Sequence, residues 1–128
     1  MRLSVSGDRV NVGPHLREYV DRHLYFALGR FGPAIDHVDV RLGDTNGPRG
    51  GVDKRCRIVL KLRAADSTSI AIDDVDENLH AAIARATSRV GRAVARTLDR
   101  KRGQRAYQRR RTVAEDGRAV AEDVGSDG

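Results

Sequence analysis

The chain reads RCRIVLKLR over residues 55–63, an alternation of apolar and mostly basic side chains. This is the period of a β-strand that has one buried face and one wet face. We therefore predict a strand here with a basic outer face. Its predicted inward side chains are Cys56, Ile58, Leu60 and Leu62, and its outward side chains are Arg55, Arg57, Val59, Lys61 and Arg63.

Further strands are predicted on either side of this one, at residues 2–6, 35–43 and 68–73, with a turn at 65–67. Each alternates apolar and polar side chains in the same way. The last three strands follow one another through short links, which favours an antiparallel meander. The inward side chains predicted for these flanking strands are Leu3, Val5, Val38, Val40, Leu42, Ile70 and Ile72.

A first helix is predicted between the first two strands. Gly13 serves as its N-cap and Pro14 as its first residue, where the missing N–H of proline costs nothing. Gly32 and Pro33 end it. Its apolar residues recur at helical spacing, at Leu16, Val20, Leu24, Ala27, Leu28 and Phe31.

A second helix is predicted to begin within residues 74–83, where the carboxylates of Asp74, Asp76 and Glu77 complement the helix dipole. The resulting order of elements is β-α-β-β-β-α. It predicts an α+β fold, a four-stranded sheet with two helices packed on one face, similar to a double-stranded-RNA-binding domain.

The second helix carries an unusual charge pattern. Between residues 85 and 111, eleven basic side chains stand against one acid, Asp99. At 100° per residue, five arginines fall within an arc of about 80° on one helix face. Such crowding is unfavourable unless a polyanion neutralises it, and the phosphates of a nucleic acid suit the guanidinium fork. The five are Arg85, Arg89, Arg92, Arg96 and Arg100.

Length and composition narrow the class of protein. The chain has 128 residues and a net charge of +6, which points to one domain and an anionic partner. We expect the domain at 1–102, followed by a basic and then acidic tail at 103–128 that is disordered. The single Cys56 excludes an internal disulfide, and we expect it to be buried. No apolar run reaches the roughly 18 residues of a membrane span, so we expect a cytoplasmic protein.

Several motifs have a functional and a simpler interpretation. The acidic group at 73–77 suggests a magnesium site, but helix capping explains it better. GPRGG at 47–51 lacks the Lys-Ser/Thr pair of a phosphate loop, which favours a flexible hairpin loop. The four histidines show no pair at ligand spacing. We therefore expect neither a metal nor a cofactor.

Taken together, the residues resemble the ribosome hibernation promoting factors, also called ribosomal-subunit interface proteins. The resemblance covers about residues 1–102. It depends on VGPHLREYV at 12–20, on the order of the elements, and on DENLHAAI at 76–83 leading into a long basic helix. His80 stands where a tyrosine is common in the family. The glycine-rich link at 43–55 is longer than usual and offers Arg49, Lys54 and Arg55 to RNA.

The resemblance implies binding to the small ribosomal subunit, in the channel of messenger and transfer RNA, when growth slows. Translation would be blocked by occupancy without chemistry, so we do not expect an enzyme. The expected partners are this subunit and its RNA, with no membrane and no small-molecule substrate, and the chain is expected to be monomeric off the ribosome. The predicted RNA-binding residues are Arg85, Arg89, Arg92, Arg96, Arg100, Lys101, Arg57, Lys61 and Arg63.

Two other functions remain open from the residues. A general double-stranded RNA-binding module would use the same sheet, helices and basic helix end to recognise duplex shape. A magnesium-dependent nuclease would use the acidic group at 73–77.

Overall fold

The computed structural model of the chain describes residues 1–45, 53–63 and 68–116. The predicted turn at 65–67 and the GPRGG loop lie outside this range. The described elements are β1 (Arg2–Asp8), α1 (Pro14–Leu28), a 3-10 helix (Gly29–Ala34), β2 (Ile35–Asp44), β3 (Lys54–Leu62), β4 (Ser69–Asp76) and α2 (Leu79–Asp116).

The strands form a four-stranded sheet in the order β1-β2-β3-β4. β1 pairs with β2 in parallel, which requires a crossover, and α1 supplies it. β2, β3 and β4 pair antiparallel, so the predicted meander is confirmed. The predicted α+β fold and its β-α-β-β-β-α order are confirmed as well.

The strand register aligns the inward side chains on one face. Ile58 lies opposite Val40 of β2 and Ile72 of β4. The four predicted inward residues of β3 are all buried, and Val38, Val40 and Leu42 are buried beside them. Cys56 belongs to this core, where desolvation by burial, helped by Asp74 and Asp73, raises the pKa of its thiol to about 12.

The first helix begins as predicted, with Gly13 as N-cap and Pro14 in its first turn. It ends at Leu28, earlier than predicted, and Phe31 and Pro33 belong to the 3-10 helix that follows. Pro33 has no N–H to donate to the preceding turn, which disfavours an α-helix through this point.

The two helices touch at a glycine. A Cβ placed on Gly91 would lie 3.1 Å from the carbonyl oxygen of Ala27 and 3.2 Å from its Cβ. Tyr19 of α1 also donates a hydrogen bond to the carbonyl of His80, at 3.2 Å. These contacts hold α1 and the start of α2 side by side, with Val20, Leu24, Ile83 and Val90 buried.

The start of α2 differs from the prediction. β4 continues to Asp76 because it pairs with β3 as far as Lys54, so Asp74 and Asp76 belong to the strand and the first turn of α2 contains no acid. Asn78 caps the helix instead: its Oδ1 accepts the N–H of Ala81 at 3.2 Å. The prediction that the acids cap this helix is wrong.

The chain divides into two compact units, Met1–Val94 and a second that begins at Ala95. The described part of the second unit is the continuation of α2 to Asp116, so residues 103–116 of the expected tail are helical. Residues 117–128 lie outside the described range. Within the described residues, no helix combines the length and apolarity needed to cross a membrane.

Candidate nucleic-acid interface

The predicted RNA-binding residues lie on three segments. Arg85, Arg89 and Arg92 lie on the part of α2 that belongs to the first unit. Arg57 and Lys61 lie on β3, on the sheet face away from the core, and Arg63 follows directly after. The second unit holds Arg96, Arg100 and Lys101.

Arg85 and Arg89 are bound to carboxylates of β4. The Arg85 Nε donates to Asp74 Oδ1 at 2.8 Å, and its Nη2 donates to Asp76 Oδ2 at 2.9 Å. The Arg89 Nη1 donates to Asp74 Oδ2 at 3.0 Å. We call these four residues the strand–helix ion cluster. Two acids neutralise two arginines in it, so this end of the arginine face carries little net charge.

The same cluster shifts two ionisation equilibria. The N–H of Asn78, and then the guanidinium of Arg85, lower the pKa of Asp76 below 3.8. The hydrogen bonds to Asp74 and Asp76 raise the pKa of Arg85 above its ordinary value. The Asp76 carboxylate and the Arg85 guanidinium therefore both stay charged, and paired with each other, at neutral pH.

Arg92 is in a different state. It is exposed, and its Nη1 donates to the neutral Ser88 Oγ at 2.8 Å. Within the described part of the chain it makes no ion pair. Its guanidinium therefore keeps its full charge and most of its donors for a ligand.

In the second unit, Arg96 and Arg100 are exposed. Arg96 makes no ion pair with any described residue, and Arg100 Nη2 lies 3.5 Å from Thr97 Oγ1. Lys101 is half-buried. Both arginines remain able to bind an anion.

The basic face of β3 is partly neutralised. Asp73 accepts hydrogen bonds from Arg55 Nε at 2.8 and 3.0 Å, and its Oδ2 lies 3.5 Å from Arg57 Nη1. Arg55, and more weakly Arg57, lower the pKa of Asp73. Arg63 donates through Nε to the Ile35 carbonyl at 3.2 Å. Lys61 is exposed and makes no ion pair with the described residues.

The acidic group at 73–77 does not converge on one point. Strand alternation places Asp73 on the open face of β4 and Asp74 and Asp76 on the helix face. The described residues contain no group of three or more His, Cys, Asp or Glu side chains that could hold a metal ion.

Sequence reasoning missed two further features. The first is the pair Asp74 and Asp76, whose i, i+2 spacing is the signal for two carboxylates on one strand face and not for helix caps. Tyr25 and Phe26 were not singled out, although they lie on the polar side of an amphipathic helix and are exposed.

A family model described as sigma 54 modulation protein / S30EA ribosomal protein matches residues 3–102. The chain belongs to this family. The match runs from β1 to residue 102, so it includes the strands, α1 and the first part of α2, and it confirms the resemblance to the ribosomal-subunit interface proteins. Membership places the chain among ribosome-associated proteins.

Two solved structures share the fold of this S30EA family member. The N-terminal domain of Protein Y from Thermus thermophilus has a TM-score of 0.58 at 20% identity, over 76% of this chain and 99% of that chain. A ribosomal subunit interface protein from Coxiella burnetii has a TM-score of 0.59 at 11% identity, over 77% of this chain and 99% of that chain. Among curated proteins we found no match.

Proposed function

We propose that this chain binds the small ribosomal subunit in the channel of messenger and transfer RNA and blocks translation when growth slows. It acts in the cytoplasm by occupancy, without chemistry and without a cofactor. The observation that carries the proposal is the S30EA family match, because it spans residues 3–102, from β1 into α2. The charge distribution of the described residues supports a choice of the side chains that we propose meet the RNA.

The proposed phosphate contacts are Arg92, Arg96 and Arg100, with Lys101 and Lys61 as weaker ones. A guanidinium without a carboxylate partner gains most from a phosphate, since it surrenders no existing ion pair on binding. Arg85, Arg89, Arg57 and Arg63 already donate to groups of the protein. A phosphate would have to compete for them, so they contribute less to affinity.

The test is sedimentation of the tagged full chain through a gradient of cell extract at two salt concentrations. We expect co-migration with small subunits or whole ribosomes at low salt and release at high salt. The three arginine contacts alone predict a log–log slope of about −2.1 to −2.7, whereas all five arginines of the helix face predict about −3.5 to −4.5.

Two additions to this experiment, a competing RNA duplex and added magnesium, give results that would contradict the proposal. A plain RNA duplex that competes as well as ribosomes do would favour a general double-stranded RNA-binding module. Cleavage of ribosomal RNA that depends on added magnesium would favour a nuclease.

A further inference from the structure

The outer side of α1 exposes two adjacent aromatic rings. Phe26 is 93% exposed and Tyr25 is 76% exposed, more than any other large hydrophobic residue in the described part of the chain. Single exposed apolar residues are ordinary, but adjacent exposed rings on a regular helix are not needed for the fold. The core side of α1 is already complete with Val20, Leu24 and Leu28.

The charges around Phe26 are of one sign. Residues three and four positions away along an α-helix are surface neighbours, and for Phe26 those within α1 are Arg22 and His23, while Arg30 follows in the 3-10 helix. None is acidic. Arg22 is also three residues from Tyr25, so one basic side chain is a helix-surface neighbour of both rings, while Asp21, four residues from Tyr25, lies on the side away from Phe26.

A third ring, the half-buried Phe31, lies in the 3-10 helix that follows α1. The Cζ of Arg30 lies 4.6 Å from the ring centroid of Phe31, within the range of a cation–π contact. The contact orients an exposed guanidinium beside the helix end. We call Arg22, Tyr25, Phe26, Arg30 and Phe31 the α1 aromatic patch.

We infer that the α1 aromatic patch binds unpaired nucleobases of RNA. The exposed rings of Phe26 and Tyr25 stack on the bases, and Arg22 and Arg30 contact the adjoining phosphates. This inference rests on the proposed function and extends it, since it adds a contact to single-stranded RNA to the phosphate contacts of α2. Stacking of this kind is worth about 5- to 150-fold in affinity per base.

A second copy of this chain fits the patch less well. In a symmetric dimer the same patch meets itself, so Arg22 and Arg30 of the two copies would face each other. The net charge of +6 on each chain adds to this repulsion. An RNA segment removes the same repulsion, because its phosphates neutralise the arginines.

A fluorescence experiment tests the patch directly. The chain contains no tryptophan, so Phe26→Trp introduces a single indole at the proposed stacking position. The probes are a single-stranded oligoadenylate, an RNA duplex of the same length, and inorganic polyphosphate, which carries the charge without bases. We expect strong quenching of the indole by the single strand, weaker quenching by the duplex, and none by polyphosphate.

Other outcomes would overturn the inference. Equal quenching by polyphosphate would mean that charge alone brings ligands there, and no quenching by any probe would mean that the patch does not bind RNA. A shift of the emission with protein concentration in the absence of RNA would identify a second copy as the occupant.

A second measurement separates this inference from the proposed function. Phe26→Ala should weaken binding to purified small subunits about 5- to 150-fold with an unchanged salt slope, and Phe26→Tyr should restore binding. The exposed Val75→Ala is the matched control and should have no effect. Unchanged binding of Phe26→Ala would overturn the inference alone. Quenching by the single strand in a chain that does not bind ribosomes would contradict the proposed function alone.

Discussion

Arg85 and Arg92 lie on the same face of α2 by their spacing, but their guanidinium groups have different hydrogen-bond partners. Arg85 donates to two carboxylates of β4, whereas Arg92 donates to a serine hydroxyl of its own helix. The cause is the length of the strand: β4 ends at Asp76, so its acids reach only the first turns of α2. A regular row of arginines therefore divides into a neutralised end and an end that keeps its charge.

The neutralised end and the charged end of this arginine row have different roles. Carboxylates fix the guanidiniums of Arg85 and Arg89 and connect α2 to the sheet. A phosphate can replace such a carboxylate only if it compensates for the lost pair. Arg92 has no ion pair with a described residue, so it loses none when it binds a phosphate. The comparison assigns stability to the first end and RNA affinity to the second.

Charge reversal should give the largest effects, and each end should affect a different property. The charged end should affect ribosome binding, and the neutralised end should affect thermal stability. Arg92→Glu with Arg96→Glu should weaken ribosome binding about 100-fold or more, since two charge-assisted contacts become repulsive, and should leave the thermal midpoint nearly unchanged. Arg85→Glu with Arg89→Glu should lower the thermal midpoint, because it places four carboxylates together. Co-sedimentation and circular dichroism melts measure the two properties.

Arg2→Glu with Arg17→Glu makes the same change of charge on surfaces that the proposal does not use, and serves as the control for this pair of variants. Ribosome binding that survives in Arg92→Glu with Arg96→Glu would remove α2 as the contact surface.

A carboxylate placed next to Arg92 should form an ion pair with its guanidinium, as Asp74 and Asp76 do with Arg85. Ser88 is four residues earlier on the helix and already accepts from Arg92. Ser88→Asp should therefore weaken small-subunit binding about tenfold, because the new pair must be broken and the acid repels phosphate. Ser88→Asn has a similar shape without the charge and should stay within about threefold of the unmodified chain. Equal effects of the two variants would show that the charge at this position is irrelevant.

Removing the acids of the strand–helix ion cluster should make Arg85 and Arg89 available. Asp74→Asn with Asp76→Asn should steepen the log–log salt slope of RNA binding by about 1.4 to 1.8, the value for two more phosphates. Affinities for small subunits at four salt concentrations measure this slope. Asp8→Asn with Asp36→Asn removes the same charge elsewhere and should change the slope less. An unchanged slope in the first variant would mean that the freed arginines do not reach RNA.

The sequence predicted this fold well because its signals are local. Alternation in residues 55–63 gives the inward and outward faces of β3, and every predicted inward residue there is buried. The extent of β4 is not a local property. It depends on pairing with β3 as far as Lys54, and residues 73–76 alone fit the beginning of a helix as well as the end of a strand.

The distinction between local signals and contacts between elements also explains how much of the candidate site could be predicted. Helical spacing predicted that five arginines share one face of α2, but it carries no information about which neighbouring element meets that face. The carboxylates of Asp74 and Asp76 come from another element, so the availability of Arg85 and Arg89 became clear only in three dimensions.

The smallest expected effect is the dependence of stability on pH. The folded-state pKa of Asp76 lies below its ordinary value of 3.8, so its contribution to stability is complete above that pH and is lost as pH falls through the lower, folded value. Asp73 follows the same rule at the other face of β4. The thermal midpoint should therefore fall as the pH decreases from 5 to 2.5, and less so in Asp76→Asn. Because these groups are partly exposed, solvent screening keeps the difference to a few degrees. An identical pH profile in Asp76→Asn would mean that the Asp76 carboxylate contributes nothing to stability, and that Asp74 alone holds Arg85 on the sheet.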